Sequence, residues 1–229
     1  MTALDLPDLP RWVEAHGIAG DPDGWREPIG GGVALGHDAA RLIVVAGDVE
    51  ADAVVALAAT RPSHAVLFAI EREDIVAAIR RPVDRAILHT LAAPDQLPEH
   101  DGAVPLERDV DGPLDPAGRR ESDPLRLWAE LAWARRRGPV WSAWVDGEPV
   151  SFAYAPWRSA RWFDVSVDTL AGSRQLGLAT IVAAAMIRDE RSRGREPVWG
   201  ADEGNLASLR LARRLGFDPV DEIWVAAGA

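Results

Sequence analysis

The residues with the clearest chemical potential lie in a glycine-containing loop before an apolar helix. Residues 174–180 read Arg-Gln-Leu-Gly-Leu-Ala-Thr, and the helical pattern begins within this run. The first turn of a helix presents unpaired backbone N–H groups and the positive end of the helix dipole. A phosphate group could approach the backbone closely at Gly177 and Ala179, and Arg174 could add a charged contact. Loops of this kind also pack a helix against its strand without any ligand, so the segment alone leaves both interpretations open.

Two acidic residues are candidates for a general base. Asp164 lies in the strand pattern of residues 161–167, on the face opposite the apolar side chains, and Glu203 follows the short strand pattern of residues 197–200. A positioned carboxylate can take a proton from a reacting group. Each residue also has a structural interpretation, because a strand acid is often a surface group and acids before Asn205 suit the start of a helix.

The composition excludes several other chemistries. The 229 residues contain no cysteine, which rules out thiol nucleophiles and thiolate zinc sites. The five histidines show no paired spacing, so no metal site is expected. A net charge of −11 is the wrong sign for coating nucleic acid, and no apolar run reaches the ~18 residues of a membrane span. Because the first residues also lack a signal-peptide pattern, we expect a cytoplasmic protein with neither nucleic-acid nor membrane partners.

The elements that would position the loop follow a consistent order in the second part of the chain. An amphipathic helix at 124–137 precedes two strands joined by an Asp-Gly turn, which is a strong hairpin signal. The strand at 161–167, the loop and a long helix come next, and the chain closes with a short strand, a helix from Asn205 and a final strand.

The first part of the chain predicts a smaller α/β unit. Residues 41–91 alternate strand, helix, strand, helix, strand, whereas residues 1–40 are rich in proline and glycine and predict loops around a short helix near 9–16. A proline-rich stretch follows, with one further strand predicted at 103–107. We therefore place a boundary near residue 101, which divides the chain into 1–101 and 102–229.

Two motifs in the second part together resemble the GCN5-related N-acetyltransferase (GNAT) superfamily. The first motif, Q/R-x-x-G-x-G/A, is filled by Arg174, Gly177 and Ala179. The second motif, N-x-x-[AS]-x-x-L…L-G-F, is filled by Asn205, Ser208, Leu211, Leu215, Gly216 and Phe217. The resemblance covers roughly residues 102–229 and is most similar to a bacterial branch with a degenerate amino-terminal α/β half.

The resemblance implies a fold, a reaction and a set of binding residues. The fold is α+β, with a mixed, mostly antiparallel central sheet flanked by helices. The reaction is transfer of an acetyl group from acetyl-CoA to a primary amine by direct attack in a ternary complex, without a metal. The CoA diphosphate would bind the amides of Arg174, Gln175, Leu176, Gly177, Leu178, Ala179 and Thr180. The pantetheine would pair with a splayed strand carrying Val165, Val167 and Thr169, beside Asn205 and Ser208.

One departure from the family pattern keeps other functions open. Many relatives carry a tyrosine seven residues after the motif asparagine, as the acid for the leaving thiolate, whereas this chain has Ala212 there and its single tyrosine, Tyr154, in the hairpin. One alternative is an acyl-CoA-binding pseudoenzyme or sensor without turnover, and another is an α/β oligomerisation domain that binds no CoA.

The sequence leaves the acceptor open as a small-molecule or peptide amine. Residues 1–110 carry a net charge of −10, from 9 Arg and 19 Asp or Glu. If this part of the chain lines one side of the acceptor cleft, its negative charge favours a cationic amine as the acceptor. The tryptophan-rich hairpin could also supply the interface of a homodimer.

Overall fold

The computed structural model describes residues 6–99, 101–106 and 124–228, which fold into helices packed on two β-sheets. The helices are α1 (Val13–Gly20), α2 (Ala51–Thr60), α3 (Glu73–Ala78), α4 (Pro124–Arg135), α5 (Leu178–Ser192) and α6 (Leu206–Arg214). The strands are β1 (Gly24–Ile29), β2 (Gly31–His37), β3 (Leu42–Asp48), β4 (Ala65–Ala69), β5 (Val83–Leu91), β6 (Val104–Pro105), β7 (Trp141–Val145), β8 (Glu148–Tyr154), β9 (Trp162–Asp164), β10 (Ser166–Thr169), β11 (Glu196–Asp202) and β12 (Phe217–Ala226). None of the helices in these ranges is long and apolar enough to cross a lipid bilayer.

The two sheets are mixed and mostly antiparallel. The larger has eight strands in the order β1-β2-β3-β4-β12-β5-β11-β9, and the smaller has four in the order β10-β8-β7-β6. Within the described strands, β3 runs parallel to β4 and β9 runs parallel to β11, while the other pairs are antiparallel. The predicted mixed, mostly antiparallel sheet flanked by helices is confirmed.

The two parts of the chain repeat one order of elements and exchange their closing strands. A hairpin, a strand, a helix, a strand, a helix and a closing strand occur once from β1 to β5 and again from β7 to β12, where β9 and β10 together take the place of the first single strand. The closing strand β5 of the first part pairs with β11 of the second, and β12 pairs with β4 of the first. Since β5 and β12 also pair with each other, each part completes the sheet of the other. The division into 1–101 and 102–229 stays a prediction.

The interpretation of residues 1–40 as loops around one helix is wrong. β1 and β2 form a hairpin that turns at Gly30 (φ +55°). Its glycines are packing residues, because a Cβ on Gly36 would lie 2.0 Å from the ring of Trp25. The short helix predicted near 9–16 is α1, which begins at Val13 after a single turn at 10–12. The sequence predicts a strand at 103–107. In the structure, β6 comprises two of these residues, and residue 107 lies outside the described ranges.

Different apolar clusters cover the two faces of the strand that leads to the loop. Phe163 and Val165 pack beneath α5 with Ala183 and Met186. Trp162 belongs instead to the cluster that α1 and α4 cover, which contains Trp12, Trp128, Trp133, Tyr154 and Trp157. The alternation of side chains along a strand therefore places Asp164 on the α1 side.

Candidate functional site

The central feature of the site is a strand that divides between the two sheets. The sequence predicts one strand over 161–167, but the chain leaves the larger sheet after β9 and continues as β10 in the smaller sheet. The pairing of this segment with β11 ends with a hydrogen bond from the Val165 N–H to the Val198 carbonyl, at 2.9 Å. Beyond this point β10 and β11 belong to different sheets, and a cleft opens between them.

Both edges of this cleft carry backbone hydrogen-bonding groups. The Leu170 N–H donates to the Val150 carbonyl at 2.8 Å, so the even-numbered residues of β10 bond to β8. The peptide groups of Val167 and Thr169 therefore point toward the cleft. On β11 the Val198 carbonyl faces β9. Alternate residues of a strand direct their peptide groups to the same side, so the N–H and C=O of Gly200 point into the same gap. An extended ligand with amide groups could pair with these edges as an added strand.

The loop before α5 forms an open helix N-terminus. Gly177 precedes the helix in a left-handed conformation (φ +79°), and no side chain caps this end. A Cβ on Gly177 would meet nothing within 4 Å, so the structure is open on this side of the glycine. Arg174 lies beside it, its Nε donating to the Thr169 carbonyl at 3.2 Å. This geometry matches the predicted phosphate-binding loop, and the binding roles of Gln175, Leu176, Leu178, Ala179 and Thr180 stay predictions.

The residues of the second motif fix α6 to β11. The Asn205 Oδ1 accepts a hydrogen bond from the Ser208 N–H at 3.1 Å, so Asn205 caps the helix. The Ser208 hydroxyl in turn accepts a hydrogen bond from the Trp199 Nε1–H at 2.9 Å. These bonds hold the loop between β11 and α6, while direct contact of either side chain with a ligand stays a prediction.

The two candidate bases lie in different environments. Glu203 is exposed and forms an ion pair with Arg85, at 2.6 Å between Oε2 and Nη2, which links β11 to β5. This pair gives Glu203 a structural role, and its catalytic role stays a prediction. Asp164 ends β9 at the point where the cleft opens, and burial, with Glu130 nearby, raises the pKa of its carboxyl to about 7. Of the two, Asp164 has the environment of a base that works near neutral pH.

A further acid, Glu14, is a residue that the sequence analysis missed. It lies on α1, and burial together with the neighbouring Asp164 raises the pKa of its carboxyl to about 8. The local sequence gives no signal for it, and only the structure shows that the neighbouring Val13, Ala15 and Ile18 are buried. Its proximity to Asp164 depends on how α1 docks on β9, which no local pattern predicts.

The single tyrosine is buried on the α4 side of the smaller sheet. The Tyr154 hydroxyl donates to the Asp168 Oδ2 at 3.0 Å, and its pKa is raised by burial and by the charges of Asp168 and Glu130. It therefore stays protonated at neutral pH. Ala212 is fully buried in α6, so the position of the usual tyrosine provides no acid for the cleft.

One group of described residues has the spacing of metal ligands, but it is already satisfied by an arginine. The ligand atoms of Asp21, Asp23 and His37 lie within 4.8 Å of one another. The Arg137 Nε donates to the Asp21 Oδ2 at 2.7 Å, and its Nη2 forms an ion pair with the same carboxylate. This network joins α1 to α4 and is a structural feature.

Comparison with known proteins identifies the family of the second part. The model of the GNAT acetyltransferase family matches residues 127–225. This segment is a GNAT domain. The resemblance drawn from the two motifs is confirmed, and the reaction class of the family is acyl transfer. No curated protein matches the sequence.

Solved structures extend the likeness over nearly the whole chain. A GNAT-family acetyltransferase from Novosphingobium aromaticivorans DSM 12444 is 20% identical, with a TM-score of 0.65, and the match covers 96% of this chain and 97% of that one. A GCN5-related N-acetyltransferase from Kribbella flavida is 17% identical, with a TM-score of 0.65 and coverage of 96% and 94%. A tandem GNAT protein from the clavulanic acid biosynthesis pathway is 14% identical, with a TM-score of 0.53 and coverage of 96% and 94%. At these identities the matches establish the GNAT fold of the chain.

Proposed function

We propose that the protein is an N-acetyltransferase that transfers an acetyl group from acetyl-CoA to a primary amine by direct attack in a ternary complex. The observation that carries this proposal is the cleft between β10 and β11, which ends at the uncapped N-terminus of α5. The family assignment supports acyl transfer in general. The donor, the acceptor and the mechanism are inferred from the chemistry that this cleft offers.

The donor fits the cleft in an extended form. The diphosphate lies on the backbone amides that begin at Arg174, where Gly177 leaves the approach open and the helix dipole favours negative charge. The pantetheine amides pair with the peptide groups of Val167 and Thr169, as an added strand would. The thioester then lies near Val165, where the two strands separate.

The acceptor enters from the α1 and α4 side of the sheet, which Asp164 faces. The amine nitrogen attacks the thioester carbonyl, so that a C–N bond forms and the C–S bond then breaks. Asp164 accepts the proton that the amine loses. With Ala212 at the usual position of the acid, the thiolate of CoA leaves without protonation by that residue, which its low basicity permits. Most of the rate enhancement then comes from positioning the two substrates.

A binding experiment with matched glycine variants tests the donor site. Gly177 and Gly194 both adopt left-handed backbone (φ +79° and +83°), and a Cβ at either position would meet nothing within 4 Å. Glutamate therefore imposes the same backbone strain at both positions, but only Gly177→Glu places a carboxylate before α5. Acetyl-CoA at ~100 times its Kd stabilises a folded protein by about 2.7 kcal/mol, which raises Tm by roughly 5–10 °C in a chain of this size.

The expected result is a Tm shift with acetyl-CoA in the wild-type protein and in Gly194→Glu, and none in Gly177→Glu. An equal shift in all three proteins would place the ligand elsewhere. No shift in the wild-type protein would refute the donor assignment.

The absence of an acid at Ala212 favours a second candidate, an acyl-CoA-binding sensor without turnover. Release of free thiol from acetyl-CoA in the presence of a panel of primary amines distinguishes the two functions. An acetyltransferase releases thiol in proportion to acetylated amine. A sensor binds acetyl-CoA and releases none with any amine.

A further inference from the structure

The first part of the chain has its own gap between two strands, at the position that corresponds to the cleft in the second part. The parallel pairing of β3 with β4 ends at Val44 and Leu67. The pairing of β9 with β11 ends in the same way at Asp164 and Val198. Beyond these points β3 stays paired with β2, and β4 stays paired with β12. The two strands therefore separate, as β10 and β11 do.

This gap holds a cavity of about 100 Å³ that is lined from both faces of the larger sheet. Trp12, Ala46 and Ala69 line it on the face that α1 covers, where they pack in one apolar cluster. Phe68 and Ile75 line it on the opposite face, which α2 and α3 cover. An apolar cavity of roughly 150 Å³ holds benzene, so this one has room for about four to five heavy atoms.

One hydrogen-bond donor on the cavity lacks an acceptor. The Trp12 Nε1–H forms no hydrogen bond with the residues that the structure describes, although the residue is only 8% exposed. Unlike the N–H groups of Trp128, Trp133 and Trp141, it is not fully enclosed by protein. Because Trp12 is otherwise buried and lines the cavity, a ligand there can meet this N–H with a carbonyl oxygen.

The two charged residues that line the cavity have partners of their own. Glu71 forms an ion pair with Arg11, at 3.1 Å between Oε2 and Nη1. Arg72 forms an ion pair with Asp74, at 2.6 Å between Nη2 and Oδ2. Since both charges are already matched, an ion placed among the apolar side chains would lose its hydration without gaining a partner. The cavity is therefore suited to an uncharged ligand.

The start of α2 excludes a diphosphate such as that of CoA. Asp48, Glu50 and Asp52 lie just before α2 and in its first turn, where negative charge repels an anion, whereas residues 174–181 contain no acid. Arg72, which follows β4, donates a hydrogen bond to the Val49 carbonyl, which follows β3. This bond joins the two chain segments beyond the gap. A ligand of the cavity must therefore be short as well as uncharged.

We propose that this cavity is a second binding site, which binds a small uncharged carboxamide. The amide carbonyl accepts a hydrogen bond from the Trp12 Nε1–H, and the alkyl group packs on Phe68 and Ile75. An amide also carries a donor, so it can pair with the strand edges of β3 and β4 where their own pairing ends. The inference is independent of the proposed acetyltransferase function.

The test uses N-methylacetamide as the probe and sodium propionate, an anion of the same size, for comparison. Heteronuclear NMR follows the Trp12 indole N–H and the backbone amides of Gly47 and Ala69 during each titration. The indole signal is assigned by its absence in Trp12→Phe. We expect saturable shifts of all these signals with N-methylacetamide and none with propionate.

Three variants locate the ligand. Trp12→Phe removes one neutral hydrogen bond and should weaken binding about fivefold, measured at the Gly47 amide. Ala69→Val fills part of the cavity and should abolish binding, while a Tm close to that of the wild-type protein shows that the variant is folded. The control Trp144→Phe removes an indole N–H from the β7–β8 hairpin and should bind N-methylacetamide as the wild-type protein does.

Several outcomes would overturn the inference. Unchanged affinity in Ala69→Val would place the amide elsewhere, and unchanged affinity in Trp12→Phe would show that no carbonyl group meets the indole N–H. Shifts that stay linear in concentration across the whole spectrum, or equal binding of propionate, would contradict a site for uncharged amides. A shift of the Gly47 amide with acetyl-CoA but not with N-methylacetamide would identify a second donor site instead.

Discussion

The enclosed pair of Glu14 and Asp164 predicts a stability that falls as pH rises. Both carboxyls have raised pKa values in the folded protein, about 8 and about 7, against 4.5 and 3.8 for the free groups. The unfolded chain therefore loses these protons at lower pH than the folded protein does. The penalty is absent well below pH 3.8, grows as the unfolded carboxyls ionise, and is complete once pH passes the folded pKa values.

The magnitude follows from the size of the shifts. One pKa unit corresponds to about 1.4 kcal/mol, so each carboxyl alone would cost roughly 3 kcal/mol of folding stability between pH 5 and pH 8. The two costs are not additive, because the charge of Asp164 contributes to the shift of Glu14. Replacing Glu14 with glutamine removes the cost of ionising Glu14.

Urea denaturation at pH 5 and pH 8 measures this effect. The wild-type protein should lose about 3 kcal/mol more stability over this interval than Glu14→Gln does. Asp164→Asn should flatten the profile similarly, whereas Glu27→Gln, which removes a charge from an exposed position on β1, should follow the wild-type profile. Titratable groups that the compared proteins share cancel in the difference. Parallel profiles for the wild-type protein and Glu14→Gln would refute the raised pKa of Glu14.

Three further predictions follow from the fold. The fragment 102–229 lacks β5, which lies between β11 and β12, so it should show no cooperative thermal unfolding by circular dichroism until the 1–101 fragment is added; independent folding of 102–229 would contradict the exchange of strands. Gly36→Ala should lower the free energy of unfolding by about 2 kcal/mol, because its Cβ would overlap the Trp25 ring, and an unchanged urea midpoint would show that the ring can move aside. Asn205→Ala removes the cap that receives the Ser208 N–H and should cost about 1 kcal/mol in the same assay, whereas a neutral effect would mean that solvent replaces the cap.

The sequence predicts the features of the fold that depend on local patterns. The Asp146-Gly147 turn gives the β7–β8 hairpin, because both residues adopt positive φ (+52° and +80°) as this turn requires. The loop before α5 was predicted from Gly177 and its neighbours, and the structure places it as an open helix N-terminus. These features follow from a few consecutive residues.

The features that the sequence analysis missed depend on long-range packing. The β1–β2 hairpin was missed because its glycines accommodate neighbouring strands and the ring of Trp25, yet glycine is also the main loop signal. The division of residues 161–167 into two strands depends on which sheet each half pairs with, since the side-chain pattern alternates without interruption. Glu14 and Asp164 are 150 positions apart in sequence, so only the docking of α1 on β9 brings them together.

Amide hydrogen exchange with and without acetyl-CoA tests the central claim most directly, because it locates the donor along the backbone. Binding in the cleft should slow exchange at Val167 and Thr169 of β10, at Gly200 of β11 and at Leu178 and Ala179 in the first turn of α5. The backbone of β1 and β2 should exchange at the same rate in both samples. Protection of β1 and β2 without protection of β10, β11 and the first turn of α5 would contradict the assignment of the cleft as the acyl-donor site. The absence of any protection at saturating acetyl-CoA would contradict it as well.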